Sequence, residues 1–178
     1  MAERIHSGPI DEAAVLAWAY DEDLLFCSQD EDLVLGVHHE HYPLLAKLAK
    51  DPACPKSNYC LSIMDFSLMF WVLRGHADAE TEIRRTIGHL LGSDRPEVVS
   101  FIKVNELRLV LLRGGCVESQ ERAFELGAAA LNGVSRNADI SVSDTGSEWV
   151  IELSVPPFHR HKEWLTICKV SGRYTFKR

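Results

Sequence analysis

No apolar run in this 178-residue chain, Leu68-Met-Phe-Trp-Val-Leu73 included, exceeds the eight residues of Ala13–Tyr20, far short of the roughly 20 residues that cross a bilayer. The first residues carry acid where a secretion signal carries base. Both absences lead to the expectation of a cytoplasmic protein with no membrane association. A disulfide framework is lacking too. The five cysteines (27, 54, 60, 116 and 168) are odd in number and irregular in spacing, which suits reduced thiols serving mostly as small core hydrophobes. No catalytic motif is present, and no cofactor is expected. Residues 21–32 hold six carboxylates and no cation, yet they lack both the Asp-x-Asp-x-Asp-Gly pattern and the distal glutamate of a calcium loop.

What is there is a polarised distribution of charge. Residues 1–32 contain nine acids against one base, and residues 156–178 contain six bases against one acid, beneath a formal net charge of −7. Fields of opposite sign at two ends steer association without dictating a fold. The acidic run also surrounds an apolar patch, Leu24-Leu25-Phe26-Cys27, able to anchor what charge alone only attracts.

With 46% apolar residues, the chain can bury a full core as one compact unit. Up to Gly133 the apolar residues recur at helical spacing. A helix is expected from Pro9 to about Tyr20, with Ala14, Ala17 and Trp18 on its inner face. A second is expected over 41–50, stopped by Asp51-Pro52 because the residue before proline leaves the α region. Ser57–Leu73 is apolar nearly all round and reads as a central, buried helix. Ala77–Leu91 reads as its amphipathic cover, with Ile83, Ile87, Leu90 and Leu91 inward. Residues 96–113 are read as a helix bounded by Pro96 and Gly114-Gly115, the alternative being an α+β fold with 107–113 as a strand. Ser119–Leu131 is the last helix, closed by Asn132-Gly133.

Beyond this the texture turns to β. Residues 140–143 and 149–155 flank Asp144-Thr-Gly-Ser147, and residues 164–170 and 173–176 flank Ser171-Gly172, which gives two hairpins. The expected fold is therefore mainly α, with stacked helix pairs or an irregular bundle over 1–133. A small antiparallel β unit, 134–178, packs on it within one compact domain.

Gly36, Gly75 and Gly114 stand 39 residues apart, and Val72-Leu-Arg-Gly75 matches Leu111-Leu-Arg-Gly114 at that offset. Over residues 23–133 this period resembles HEAT-type helical repeats. The resemblance implies a curved scaffold that binds another macromolecule and carries no catalytic residues.

Three clusters have ligand or nucleophile chemistry. Val37-His-His-Glu-His41 gathers imidazoles and a carboxylate, the donor types of a zinc site. On a helix His38 and His41 share a face and on a strand His39 and His41 do; a metal alternative would use His38 and His41, completed by His159 and His161. Cys116 follows Arg113-Gly-Gly115 and is placed at the start of the last helix, where a thiolate is stabilised. With either group as its centre, a small hydrolase is the alternative function. Cys54 and Cys60 have too long a separation for a zinc knuckle and read as anchors of a proline-rich loop. In the basic tail, Phe158, Trp164, Tyr174 and Phe176 alternate with cations as in single-strand nucleic-acid binders, but strand alternation explains the same pattern.

The leading expectation is non-enzymatic: an acidic protein-binding module of inhibitor or immunity type that sequesters a basic partner such as a nuclease. Its expected contacts are Asp21, Glu22, Asp23, Phe26, Asp30, Glu31 and Asp32. A structural assembly subunit, forming a homo-oligomer, is the third alternative.

Overall fold

The computed structural model describes residues 12–23, 38–131, 139–154 and 162–177. Among them are six helices, α1 (Glu12–Tyr20), α2 (Tyr42–Lys50), α3 (Ser57–Leu73), α4 (Ala79–Leu90), α5 (Pro96–Arg113) and α6 (Gln120–Leu131), with a short 3-10 turn at His39–His41 before α2. Four strands follow, β1 (Asp139–Asp144), β2 (Glu148–Ser154), β3 (Lys162–Cys168) and β4 (Tyr174–Lys177). The protein is mainly helical with a small C-terminal antiparallel sheet. Residues 107–113 are the end of helix α5, which excludes the strand alternative. The Pro9 start of α1, Gly36 and the Asn132-Gly133 stop lie outside the described residues.

Helix α3 is central because its buried positions wrap most of its circumference, from Cys60, Leu61 and Met64 to Leu68, Met69 and Val72. It packs against α2, α4, α5 and α6. The helices form two stacked pairs. α2 touches α4, α3 touches α5, and each pair is also in internal contact. Ser57 and Pro96, the first residues of α3 and α5, are 39 positions apart. The two glycines that end these helices, Gly75 and Gly114, both have positive φ, 63° and 72°, the conformation in which a helix C-terminus turns away at least cost.

The strands form one antiparallel sheet in the order β1-β2-β3-β4. The two hairpins are joined by pairing of β2 with β3, Ile151 opposite Leu165. Alternation buries Trp149, Ile151, Leu153, Leu165 and Ile167 on one face, and that face covers α6. The approach is close enough that a Cβ at Gly127 of α6 would stand 2.7 Å from Ile151 Cγ2. A second close approach ties the α5–α6 linker to the β3–β4 turn. Gly115 N donates to Ser171 O at 2.9 Å and Val117 N to Lys169 O at 2.8 Å. A Cβ on Gly172, whose φ is 66°, would overlap Gly115 O and lie 2.5 Å from Gly115 N. The Gly114-Gly115 pair therefore does more than stop a helix, since it clears a place for another stretch of backbone.

Two expected faces are corrected. In α1 the inner face holds Val15, Trp18 and Ala19, while Ala14 and Ala17 are exposed. The helix is rotated toward Val15, which removes more apolar area from water than either alanine. Leu91 is 61% exposed because the chain has already left the helix there, with ψ at 149°.

One polar group lies deep in the helical body. Arg108 of α5 is fully buried. Its Nη1 donates to Asp65 Oδ1 of α3 at 2.6 Å and to Asn105 Oδ1 at 3.0 Å, and its Nε donates to Ala129 O of α6 at 2.8 Å. Asn105 in turn donates to Phe101 O. A buried charge is tolerated when it is paired and its donors are used. Arg108 is paired with Asp65 and joins three helices through Nε and Nη1, while Nη2 has no hydrogen-bond partner among the described residues.

Candidate functional site

The acidic run begins on an anchored element. Helix α1 is held from below by Lys56, an 8% exposed lysine whose Nζ donates to Trp18 O at 2.6 Å and to Asp21 O. A helix leaves its last carbonyls without intrahelical partners and bears partial negative charge there. An ammonium placed under them answers both. The Lys56 Nζ lies 5.3 Å from the Trp18 ring centre, and Trp18 meets Tyr59 edge-on. On the outer side the Tyr20 hydroxyl donates to Asp51. That bond, rather than burial, is the main reason the Tyr20 phenol is pushed up to about 12 and Asp51 is held below its usual value.

Three of the expected contact residues, Asp21, Glu22 and Asp23, leave this anchored end. Asp23 N donates to Asp21 Oδ1 at 2.9 Å, an Asx turn, and Glu22 and Asp23 are exposed. Phe26, Asp30, Glu31 and Asp32 lie outside the described residues, as do Leu24, Leu25 and Cys27. In the basic tail, Lys162 pairs with Glu152 and Lys169 with Asp144, each at 2.5 Å. Both partners are acids of the sheet itself. Lys169 also lies over Trp149, 4.1 Å from the ring centre, and Trp164 Nε1 donates to Glu152. Lys162, Trp164 and Lys169 of the tail are thus engaged by side chains of β1 and β2.

The histidine cluster is divided. His38 and His41 are near each other, with ring centres 6.2 Å apart, but His159 and His161 lie outside the described residues. Among the described residues no group of three or more His, Cys, Asp or Glu side chains is placed to hold a metal ion. The histidine that the structure singles out is the one between them. His39 is 7% exposed, its ring 4.0 Å from Trp71 and 4.6 Å from Tyr42. Its Nδ1 is 3.0 Å from Glu82 Oε2, and Glu82 also receives Arg85 at 2.6 Å. Trp71 continues the stack to His76 at 4.0 Å. Desolvation lowers the His39 pKa and Glu82 opposes it, so the neutral imidazole is favoured. This is an anchor that fastens the chain entering α2 onto α3 and α4.

Cys116 is exposed, but its placement at a helix start is corrected. α6 begins at Gln120, with the Ser119 hydroxyl accepting from Arg122 N as its cap. Cys116 instead belongs to the extended linker paired with the β3–β4 turn. The helix-terminus argument for an activated thiol is thereby removed. Cys54 and Cys60 are buried, and the Cys54 thiol donates to Ala19 O at 3.5 Å, fixing the loop to α1. Desolvation pushes the Cys54 thiol up, toward inertness. Among the cysteines with a resolved shift, Cys168 is the one drawn down, by hydrogen bonds from Ser171 and Val170 within the β3–β4 turn.

No described helix is long and apolar enough to cross a membrane. No family model matches the chain, and neither a curated protein nor a solved structure matches it.

Proposed function

We propose that the chain is a cytoplasmic protein-binding module of the inhibitor or immunity kind, whose acidic segment occupies a basic surface on a partner protein. One observation carries this. Asp21, Glu22 and Asp23 project from a helix end pinned by Lys56, while the tail cations Lys162 and Lys169 are engaged by Glu152 and Asp144. A fixed acidic edge loses less entropy on docking than a floating one, and a concentrated negative field accelerates encounter with a cationic target. The remaining contacts of the proposal are Phe26, Asp30, Glu31 and Asp32, with Phe26 as the apolar anchor. Among the described residues, neither His38, His39 and His41 nor Cys116 belongs to a group of ligating side chains placed to hold a metal ion.

The test is capture from native lysate at two salt concentrations. The chain is compared with a variant in which Asp21, Glu22, Asp23, Asp30, Glu31 and Asp32 are replaced by their amides. Retention of a basic protein by the parent alone, with an association rate that falls steeply as salt rises, supports the proposal. Equal retention by both forms sinks it.

A further inference from the structure

A cleft of about 770 Å³ opens between β4 and the C-terminal ends of α3 and α5. Its charge is opposite to that of the protein as a whole. Arg74, Arg113, Arg173 and His76 line it, and among the described residues no carboxylate does, although the chain carries a net charge of −7. Arg74 follows α3 and Arg113 ends α5, where each offsets the negative end of its helix, but Arg173 belongs to neither. Arg113 shares Glu80 with Arg84, and Arg74 lies over Phe70. Arg173 has no carboxylate partner among the described residues.

The opposite wall is a sheet edge. β4 is the last strand in the order, and Cys168 N donates to Arg173 O at 2.9 Å. Along an antiparallel ladder, hydrogen-bonded and non-hydrogen-bonded pairs alternate. With Thr175 opposite Thr166 and Lys177 opposite Trp164, the main-chain groups of Thr175 and Lys177 therefore face β3. Those of Tyr174 and Phe176 face away from the sheet, and both residues line the cleft. Leu73, Leu111 and Leu112 supply apolar surface beside them.

An open edge with outward N–H and C=O groups is a template for an added strand. Guanidinium groups flanking it select carboxylates. We infer that this cleft binds an extended acidic peptide of a partner protein, which adds to β4 as a fifth strand and sets its carboxylates against Arg74, Arg113 and Arg173. The surface is separate from the acidic edge and opposite in sign, so the chain presents two docking sites of complementary chemistry.

The experiment follows individual amides of the 15N-labelled full chain on addition of an acetylated, amidated peptide alternating glutamate and valine, about eight residues long to match an ordinary strand. Bound as a strand, the peptide slows exchange of the Tyr174 and Phe176 amides by roughly tenfold or more and leaves Thr175 and Lys177 near their starting rates. Arg74→Glu with Arg173→Glu raises the Kd by more than about tenfold. The milder Arg173→Gln serves as a second variant should the reversal disturb folding. Binding without protection of Tyr174 and Phe176, or displacement of the peptide by an equal concentration of inorganic tripolyphosphate, reduces the cleft to a general anion site and overturns the inference. Absence of binding at millimolar peptide overturns it as well.

Discussion

Replacing Asp65 with alanine leaves Arg108 charged and fully enclosed, with its best partner gone. The structure fixes the scale of the effect. Arg108 is 0% exposed and Asp65 is 3% exposed, so water cannot take over, and the Nη2 of Arg108 already lacks a hydrogen-bond partner among the described residues. Breaking a buried pair by removing one member costs about 3–5 kcal/mol. A domain is typically stable by only about 5–15 kcal/mol, so the loss is a large share of the total. With a urea slope of about 2 kcal/mol per molar, the midpoint falls by roughly 1.5–2.5 M. Tryptophan fluorescence and far-UV circular dichroism read that shift, and their transitions should coincide. Asp65→Leu with Arg108→Met removes both charges and replaces them with apolar volume, so the double variant loses less than Asp65→Ala alone. A loss below about 1 kcal/mol for Asp65→Ala would falsify the reasoning, because it would mean that water or another anion reaches the guanidinium.

The His39 pKa is lowered in the folded chain, so the unfolded chain binds the proton first on acidification. The stability supplied by neutral His39 is full above about pH 6.5 and is lost as pH falls from there toward the folded value. His39→Gln should flatten this part of a plot of urea midpoint against pH, and an unchanged slope would count against the buried anchor. Gly172→Ala combines positive φ with overlap on Gly115, whereas Gly75→Ala, whose Cβ meets nothing within 4 Å, carries only the conformational term of about 1–2 kcal/mol. Thermal unfolding should therefore rank Gly172→Ala clearly the more damaging. Lys56→Met keeps an unbranched side chain of similar length but removes the one ammonium that makes both hydrogen bonds. Loss of about 1.5 kcal/mol from hydrogen bonds to a charged group makes the α1 amides exchange roughly tenfold faster, while those of α3 hold their rates.

The helices were legible because their apolar spacing, proline starts and glycine stops agree. α3, α5 and both hairpins fall close to where periodicity puts them. What pairs across space was less visible. Nothing in either hairpin specifies that β2 joins β3, because both strands carry the same alternation. Asp65 and Arg108 did leave a trace. Asp65 is the lone charge of α3 and Arg108 the lone charge of the run Leu107–Leu112 in α5, and a charge inside an apolar run signals a buried partner of opposite sign. Among the three neighbouring histidines, spacing left the pair open between helix and strand readings, but the stack of Tyr42, Trp71 and His76 selects His39. That stack joins residues distant in the chain. The cleft beside β4 was hidden for a similar reason, since Arg74, Arg113 and Arg173 come together only when both helix ends meet the sheet edge.

The contact between Gly127 and Ile151 also bears on how the chain reaches its fold. The face of α6 that carries Gly127 is covered by a sheet lying wholly later in the sequence. At about 5–20 residues per second of synthesis, the stretch after Leu131 takes on the order of seconds to emerge. Throughout that interval the helical body can collapse, yet α6 offers an apolar groove with nothing over it. Ribosome-bound intermediates stalled between α6 and β3 are therefore the species most in need of a chaperone. A nascent-chain series truncated across that boundary should be sticky before β3 emerges and quiet after it.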